Sequence, residues 1–384
     1  MEEEVPLVRP MVADGALDYV GAAVRGNSLA GNGEFGRRCS ELLERRFSGS
    51  KVLVVPSCTA ALELSALLAG IGPGDEVVMP SFAFPTLASA FVLRGATPVF
   101  VDVLEGTLCI DPAAAEAAAG ERTAAICALN YAGVGCDLTA LRALTEDVGA
   151  RLIEDNAHGL LADQDGKPLG SFGDLAALSF HSTKNVQAGE AGALVINDGE
   201  LVRTAEILQE KGTNRASFLR GEVARYEWIE TGTSALLSEV TAAFLLAQLE
   251  AADEWTESRR ASWRSYHEAL EPLEDAGLLR RPAVPRGATH DAHIYWVMAG
   301  GREGRDRLIG DLREAGIGAA FHYVPLHDSP AGERSGTTVG PMENTARAGS
   351  SLVRLPLWPG LPSWVPERVA AIAEKSLQGA PGVA

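Results

Sequence analysis

The stretch 51-KVLVVPSCTAALELSALLAGIGPGDEVVMP-80 reads as a strand, a helix and a second strand. KVLVV is a short, unbroken apolar run dominated by valine, and DEVVM repeats that character at 75–79. Between them, 60–68 carries apolar residues at helical spacing. Unbroken runs belong to strands covered on both faces, as in parallel sheets, whereas half-solvated strands alternate. Outward from this unit the pattern continues through 97-TPVFVDV-103, 123-TAAICAL-129, 151-RLIE-154, 175-LAALSF-180 and 193-ALVIN-197. Helical patterns cover 35–47, 138–148 and 200–210. The expectation is an α/β fold with a large, mostly parallel sheet between helices.

A long helical pattern runs from about 234 to about 270. A strand at 294–300, a helix at 304–316, a short strand near Phe321 and a last helix at 365–376 follow. This predicts a large α/β domain over 1–250 and a small C-terminal α/β domain over 251–384. There is no internal repeat and no low-complexity tract.

Composition narrows the function. Lys and Arg total 33 against 51 Asp and Glu, a net charge of −18. Such a surface repels polyanions, so nucleic acid and anionic membranes are poor partners. The apolar stretch 77–93 is interrupted by Pro80 and Pro85 and is short of the roughly 20 residues that cross a bilayer. The acidic N-terminus MEEEVPLVRP has no secretory character. Five cysteines without CxxC spacing read as structural thiols of a reduced, cytoplasmic protein.

In open α/β sheets ligands bind beyond the carboxyl ends of the strands, and three such ends carry chemistry. After KVLVV, Ser57 and Thr59 stand where a helix begins, with free N–H groups and the positive end of the helix dipole. Alone, this is equally an N-cap. After RLIE come Asp155 and, three residues on, His158; alone, Asp155 is a turn acid. After LAALSF comes 181-HSTKN, with Lys184 just past a core strand, where a desolvated amine becomes a nucleophile. Most lysines so placed are surface turn residues. Together the three match what pyridoxal 5′-phosphate requires: an anion site for its phosphate, an acid for its ring nitrogen and a lysine for its aldehyde. His158, His181, His322 and His327 lack metal-ligand spacing, and no strand is followed by GxGxxG, which disfavours a metal and NAD.

The segments 80-PSFAFPTLASAFVLRGATPVFVDV, 154-EDNAHG, 179-SFHSTKN and 189-GEAGALVIND resemble the DegT/DnrJ/EryC1/StrS nucleotide-sugar aminotransferases. The likeness extends through 56-PSCTAALELSALL, 243-AFLLAQLEAAD and 354-RLPLW. The stretches 208-LQEKGTNR, 219-LRGEVARYEW and 321-FHYVPLH are most similar to the branch that aminates dTDP-4-keto-6-deoxyglucose at C4.

That resemblance implies the aspartate-aminotransferase-like fold (fold type I) and a pyridoxal 5′-phosphate cofactor. Lys184 matches the lysine that forms the Schiff base and shuttles the proton, and Asp155 the acid on the ring nitrogen. Phe84 matches the aromatic on the ring face. Ser57, Thr59, Ala60 and Ser179 match phosphate contacts, and His158 a polar position near the ring hydroxyl. Ser234 stands where relatives carry an Asn that reaches the phosphate of the neighbouring subunit. The resemblance also implies a homodimer with shared sites, L-glutamate as amino donor and a nucleotide-linked 4-ketosugar as acceptor. Lys211, Arg215, Arg220, His322 and Tyr323 are the candidates for the sugar nucleotide. A 4-ketopentose nucleotide is an open alternative, since one methyl gives only about 1–3 kcal/mol of discrimination. Sugar 3-dehydration and an idle scaffold are disfavoured, because Lys184 and Asp155 are both present.

Overall fold

The computed structural model describes residues 4–27 and 29–378. Its main sheet takes strands β1 Lys51–Val55, β2 Glu76–Pro80, β3 Thr97–Val101, β4 Thr123–Leu129, β5 Arg151–Asp155, β6 Leu175–Ser179 and β7 Gly192–Ile196. A smaller sheet pairs β8 Tyr295–Met298 with β10 Leu352–Leu355, while β9 Thr337–Thr338 joins the main sheet beside β3. The main order is β1-β7-β6-β5-β4-β2-β3-β9.

The apolar runs are buried on both faces, as their lack of alternation requires. Leu53, Val55, Val77, Met79, Leu175 and Leu194 face one core, together with helices Cys58–Leu68 and Thr86–Val92. Val52, Val54, Ala176, Leu178 and Val195 face the opposite core with helices Glu34–Arg46 and Glu239–Glu250. Each fully buried Val or Leu contributes about 1.5–3 kcal/mol. A charge at Val54, 3% exposed, would remove that contribution and strand an ion against the Glu34–Arg46 helix.

Strand direction places the site. β2 through β6 and β9 are parallel. β7 is antiparallel to both of its neighbours, β6 and β1. Two reversals leave β1 pointing the same way as β6, so the carboxyl ends of β1, β5 and β6 share one edge. The N-terminus of β7 lies there too, with Gly192 opposite both Val55 and Ser179.

The long pattern over 234–270 resolves into two helices, Glu239–Glu250 and Ala252–Asp275. The first starts at Ser238, whose side chain accepts from the Thr241 N–H; Ser234 is instead paired in an extended bridge with Glu210. The first helix is buried on most sides, whereas the second buries one stripe through Trp255, Arg259, Trp263 and Tyr266. The strand expected near Phe321 is a single bridge, Ala320 to Arg354. Beyond it, Pro325 offers no N–H, and the His322 and Tyr323 side chains turn into a cavity. The second core gathers Trp263, Tyr266, Tyr295, Val353 and Val365 around β8 and β10. Two segments cross the boundary expected at residue 250. Val5 enters the second core, bridging Ile317, and β9 extends the first sheet.

Candidate active site

At the shared edge lies a cavity of about 520 Å³. Ser57, Thr59, Phe84, Asp155, His158, Ser179, Lys184, His322 and Tyr323 all line it, bringing together nine of the residues singled out in the sequence. Its floor is built from strand ends. Asp155 is the last residue of β5 and is 5% exposed. Burial raises its carboxyl, while the Ala157 N–H, 3.1 Å from Oδ1, and Lys184 pull it back. Lys184 stands in the turn after β6, its N–H bonded to the His181 carbonyl. Burial draws its amine from the ordinary 10.5 down to about 8 against the opposing pull of Asp155.

The helix Cys58–Leu68 aims its N-terminus at the same cavity. Ser57 is its N-cap: Oγ accepts from the Ala60 N–H at 3.1 Å. That bond uses the Ala60 donor, and Ala60 does not line the cavity, so the anion site narrows to the first turn at Cys58 and Thr59. Gly192 lets β7 press against this turn. A Cβ there would lie 2.4 Å from the Ser57 carbonyl carbon and 2.5 Å from the Cys58 nitrogen.

Two cavity residues from the C-terminal half of the chain, Arg354 and His293, join the foreseen His322 and Tyr323 and carried no signal in the sequence. Arg354 of β10 and His293 line the cavity, and Tyr131 stands behind His322. Arg354 Nη1 lies 3.1 Å from Nε2 of His322, and His322 Nδ1 lies 3.0 Å from the Tyr131 hydroxyl. A guanidinium only donates, so Nε2 is the acceptor and Nδ1 carries the proton. Burial, with Arg354 and Lys184, pushes His322 down to about 2. His322 is therefore a neutral imidazole held between Arg354 and Tyr131 at the cavity wall. His158 accepts the Ala132 N–H on Nδ1 at 3.2 Å, which leaves Nε2 as an N–H donor.

Lys211, Arg215, Arg220 and Ser234 do not line this cavity. Arg220 is held bidentately by Glu206 at 2.8 and 3.0 Å and by Glu222 at 2.6 Å, which neutralises it. Arg215 pairs with the buried Glu210 at 3.3 Å. Lys211 sits at φ 64° in a tight turn, its N–H bonded to the Thr233 carbonyl. These residues belong to a lobe over 210–235 that exposes Phe218, Leu219, Tyr226, Trp228 and Ile229.

A larger cavity of about 890 Å³ lies beside Trp263 and is bordered by Arg260, Arg264, Arg280 and Arg281. Each of these arginines is already paired with a glutamate. Among the described residues no cluster of three or more His, Cys, Asp or Glu could hold a metal, and no helix is long and apolar enough to cross a membrane.

A buried carboxylate, a lysine depressed by burial and a helix N-terminus at one sheet edge fit the three polar ends of pyridoxal 5′-phosphate. The second oxygen of Asp155 makes no hydrogen bond among the described residues, as an acceptor awaiting a ring N–H would. The fold and this donor set define a pyridoxal-phosphate enzyme of fold type I. The chain belongs to the DegT/DnrJ/EryC1/StrS aminotransferase family, whose family model matches residues 13–375. It is 33% identical over 324 residues, 82% of each chain, to the spore coat polysaccharide biosynthesis protein SpsC of Bacillus subtilis (strain 168). The aminotransferase TlmJ from Streptoalloteichus hindustanus superposes with a TM-score of 0.87 at 29% identity, over 97% of this chain and 99% of that one. The putative sugar aminotransferase Spr1654 from Streptococcus pneumoniae, solved in a PLP form, shares the fold at TM-score 0.88 and 24% identity, over 98% and 100% of the two chains.

Proposed function

We propose that the protein transfers the amino group of L-glutamate to C4 of a nucleotide-linked 4-keto-6-deoxyhexose, dTDP-4-keto-6-deoxyglucose. The product is a 4-amino-4,6-dideoxysugar nucleotide. The observation that carries the amino-transfer chemistry is the juxtaposition of Lys184 and Asp155 in one cavity beside a helix N-terminus. The sugar assignment rests on the resemblance of 208-LQEKGTNR, 219-LRGEVARYEW and 321-FHYVPLH to the C4-aminating branch, and is in keeping with the polysaccharide role of SpsC.

Bound here, pyridoxal 5′-phosphate supplies an aldehyde that accepts an amine and a ring that withdraws electrons from the adjacent carbon. The chain's own residues do the rest. The N–H groups at Cys58 and Thr59, with the Thr59 and Ser179 hydroxyls, anchor the phosphate dianion. Asp155 holds a proton on the ring nitrogen, and Phe84 covers a ring face. His158 offers Nε2–H to the ring hydroxyl. Lys184, its amine drawn down to about 8 by burial, would hold the aldehyde of the bound cofactor and is placed to carry a proton at Nζ. Over the two half-reactions the substrates would exchange an amino group for an oxo oxygen, L-glutamate giving 2-oxoglutarate and the 4-ketosugar nucleotide giving the aminosugar nucleotide.

We also propose a homodimer in which the 210–235 lobe of one chain covers the partner's site. Trp228, 75% exposed, and Leu219, 66% exposed, are an apolar surface that a second copy would bury. Placed there, Lys211, Arg215 and Ser234 would act across the interface rather than in their own cavity.

The test is product analysis by NMR with purified protein, L-glutamate and a panel of 4-ketosugar nucleotides. Amination of the dTDP-4-keto-6-deoxyhexose in preference to the ketopentose supports the proposal. Preference for the pentose, or amination of neither, overturns it.

A further inference from the structure

Pyridoxal 5′-phosphate carries its ring hydroxyl and its aldehyde on neighbouring ring carbons. A donor placed at the hydroxyl and an amine placed at the aldehyde must therefore keep a fixed separation. In this chain the two groups stand in different turns. His158 follows β5, and Lys184 follows β6. Among the described residues no hydrogen bond joins the 156–159 turn directly to the 181–185 turn.

The link runs through a third segment. The His293 ring is stacked on that of His158, with planes 31° from parallel. The same ring reaches Asn185, the neighbour of Lys184, through Nδ1 at 3.0 Å. Asn185 gives its own Nδ2 to the Asp291 carbonyl, so its oxygen accepts and His293 donates. His158 has one hydrogen bond among the described residues, from the Ala132 N–H to Nδ1. That single pivot leaves the ring plane, and with it the direction of Nε2, to the groups packed on its faces.

The segment carrying His293 is built to stay in place. Every carbonyl from 290 to 293 accepts a side-chain donor from elsewhere in the fold. Arg260 Nε reaches the His290 carbonyl at 2.8 Å, Asn185 the Asp291 carbonyl at 2.8 Å, and Arg259 the Ala292 and His293 carbonyls. Ala292 holds φ 51°, a left-handed conformation that a residue with a Cβ adopts at a cost. Backbone of this kind persists where its surroundings over-determine it, and it clusters at functional sites. An apolar side chain at 293 would serve packing alone. The residue is instead an imidazole that lines the cavity, and burial, with His158 and Lys184 beside it, holds it well below the ordinary 6.5 and so neutral.

We propose that His293 and Asn185 are positioning residues for the cofactor: the His293 ring sets the direction in which His158 offers Nε2–H, and its Nδ1–H bond to Asn185 registers the Lys184 turn against it. This rests on the amino-transfer reading above. Its consequence is that recognition of the ring hydroxyl and placement of the amine fail separately, the first with the ring and the second with the hydrogen bond.

The test uses pyridoxal 5′-phosphate and its 3-deoxy analogue, which lacks the ring hydroxyl. Dissociation constants are read by fluorescence titration, and attachment to Lys184 by growth of the yellow band in stopped flow. The wild type should prefer the natural cofactor by about tenfold or more. His293→Ala should bring the two within about threefold, while His293→Phe, which keeps a flat ring over His158, should retain the preference. In His293→Phe and in Asn185→Ala the yellow band should form about tenfold more slowly, because each lacks the bond between the two turns. Histidine-labelled, cofactor-free protein gives a reading without any cofactor. Its nitrogen NMR spectrum should show His158 as the Nε2–H tautomer in the wild type and in His293→Phe, and as a mixture in His293→Ala. If His293→Ala does not fold, His293→Phe and Asn185→Ala carry the test. A wild type without the preference, an undiminished preference in His293→Ala, or its loss in His293→Phe overturns the part given to the ring. Colour formation at the wild-type rate in Asn185→Ala overturns the part given to the hydrogen bond. A wild type that binds the cofactor but keeps its yellow colour with L-glutamate would instead overturn the amino-transfer reading itself.

Discussion

The imidazole of His293 lies over that of His158 with ring centroids 4.3 Å apart, and its Nδ1 is 3.0 Å from Oδ1 of Asn185, the residue after Lys184. Asn185 in turn donates Nδ2 to the Asp291 carbonyl at 2.8 Å. Its amide oxygen therefore accepts, and His293 carries its proton on Nδ1. The turn that presents Lys184 is thus tied to the 291–293 segment, and no charged imidazole is needed to do it.

That arrangement makes the fold acid-sensitive. Burial holds His158 and His293 well below the ordinary 6.5, and His322 at about 2. As pH falls through 6.5 the unfolded chain binds protons that the folded chain refuses, so stability is lost on the acid side. Each such histidine adds about 1.4 kcal/mol per pH unit to the slope. His293→Asn should reduce the slope of unfolding free energy between about pH 6 and pH 4 by nearly one proton, measured by urea denaturation across a pH series. An unchanged slope would mean that His293 is charged in the folded protein.

Lys184→Ala should bind pyridoxal 5′-phosphate without a covalent bond, because Asp155 and the helix N-terminus remain. Amino transfer should fall by several orders of magnitude, since nucleophile and proton carrier vanish together. The same variant reports on the lysine's titration. With a folded value of about 8 against 10.5, the cofactor-free wild type should gain stability as pH rises from 8 towards 10. The Ala variant should lose that gain. Matching pH profiles of the two cofactor-free proteins would contradict the depressed amine.

Gly192→Ala tests the anchor. Its new methyl would lie 2.4 Å from the Ser57 backbone, so the first turn of the Cys58–Leu68 helix must move. Overpacking of this kind costs about 1–3 kcal/mol. The equilibrium constant for pyridoxal 5′-phosphate should weaken about tenfold or more, as read by fluorescence titration. Unaltered affinity would place the phosphate elsewhere.

Some of this was legible in the residues and some was not, for physical reasons. Asp155 and Lys184 could be found because each follows an unbroken apolar run, and the end of a buried strand is a fixed place in an open sheet. Arg354 and His293 gave no such signal. Arg354 lies within 354-RLPLW, which marks a resemblance but says nothing about direction, and its cavity partners are far away in sequence. Lys211, Arg215 and Arg220 lie away from this chain's own cavity, and a matching stretch does not tell whose site a cation faces. Glu206, Glu210 and Glu222, which claim two of them, are ordinary helix and turn acids until the lobe folds. The strand Thr337–Thr338 was missed because both residues are exposed and it adds to the sheet edge through its backbone alone.

The exposed lobe predicts an assembly that a single substitution can break. Trp228→Glu should convert the dimer to monomer at micromolar concentration by sedimentation velocity, because a buried carboxylate there would have no partner. Arg225→Glu, a charge change in the same lobe, serves as the control for charge alone. A Trp228→Glu protein that still sediments as a dimer would place the interface on another face.

The same variant tests where the nucleotide lies. The cavity is about 520 Å³, within the range of about 300–1,000 Å³ that takes one drug-sized ligand. Once a cofactor occupies part of it, the remainder suits a sugar ring or an amino acid, but not a nucleoside diphosphate as well. A nucleotide on the proposed ketosugar would therefore extend past Phe84, a cavity-lining residue more than half exposed, towards whatever covers it. If the covering element is the partner's lobe, Lys211 and Arg215 supply the cations that an acidic surface otherwise lacks, and remote contacts orient the keto carbon. Trp228→Glu should then depress kcat/KM for the nucleotide ketosugar by at least a hundredfold. The half-reaction with L-glutamate, whose substrate fits within one chain's cavity, should lose far less. Equal losses in both half-reactions would show that the partner supports the fold of the site rather than the nucleotide. Free 4-keto-6-deoxyglucose aminated as efficiently as its dTDP-linked form would remove the need for any nucleotide contact.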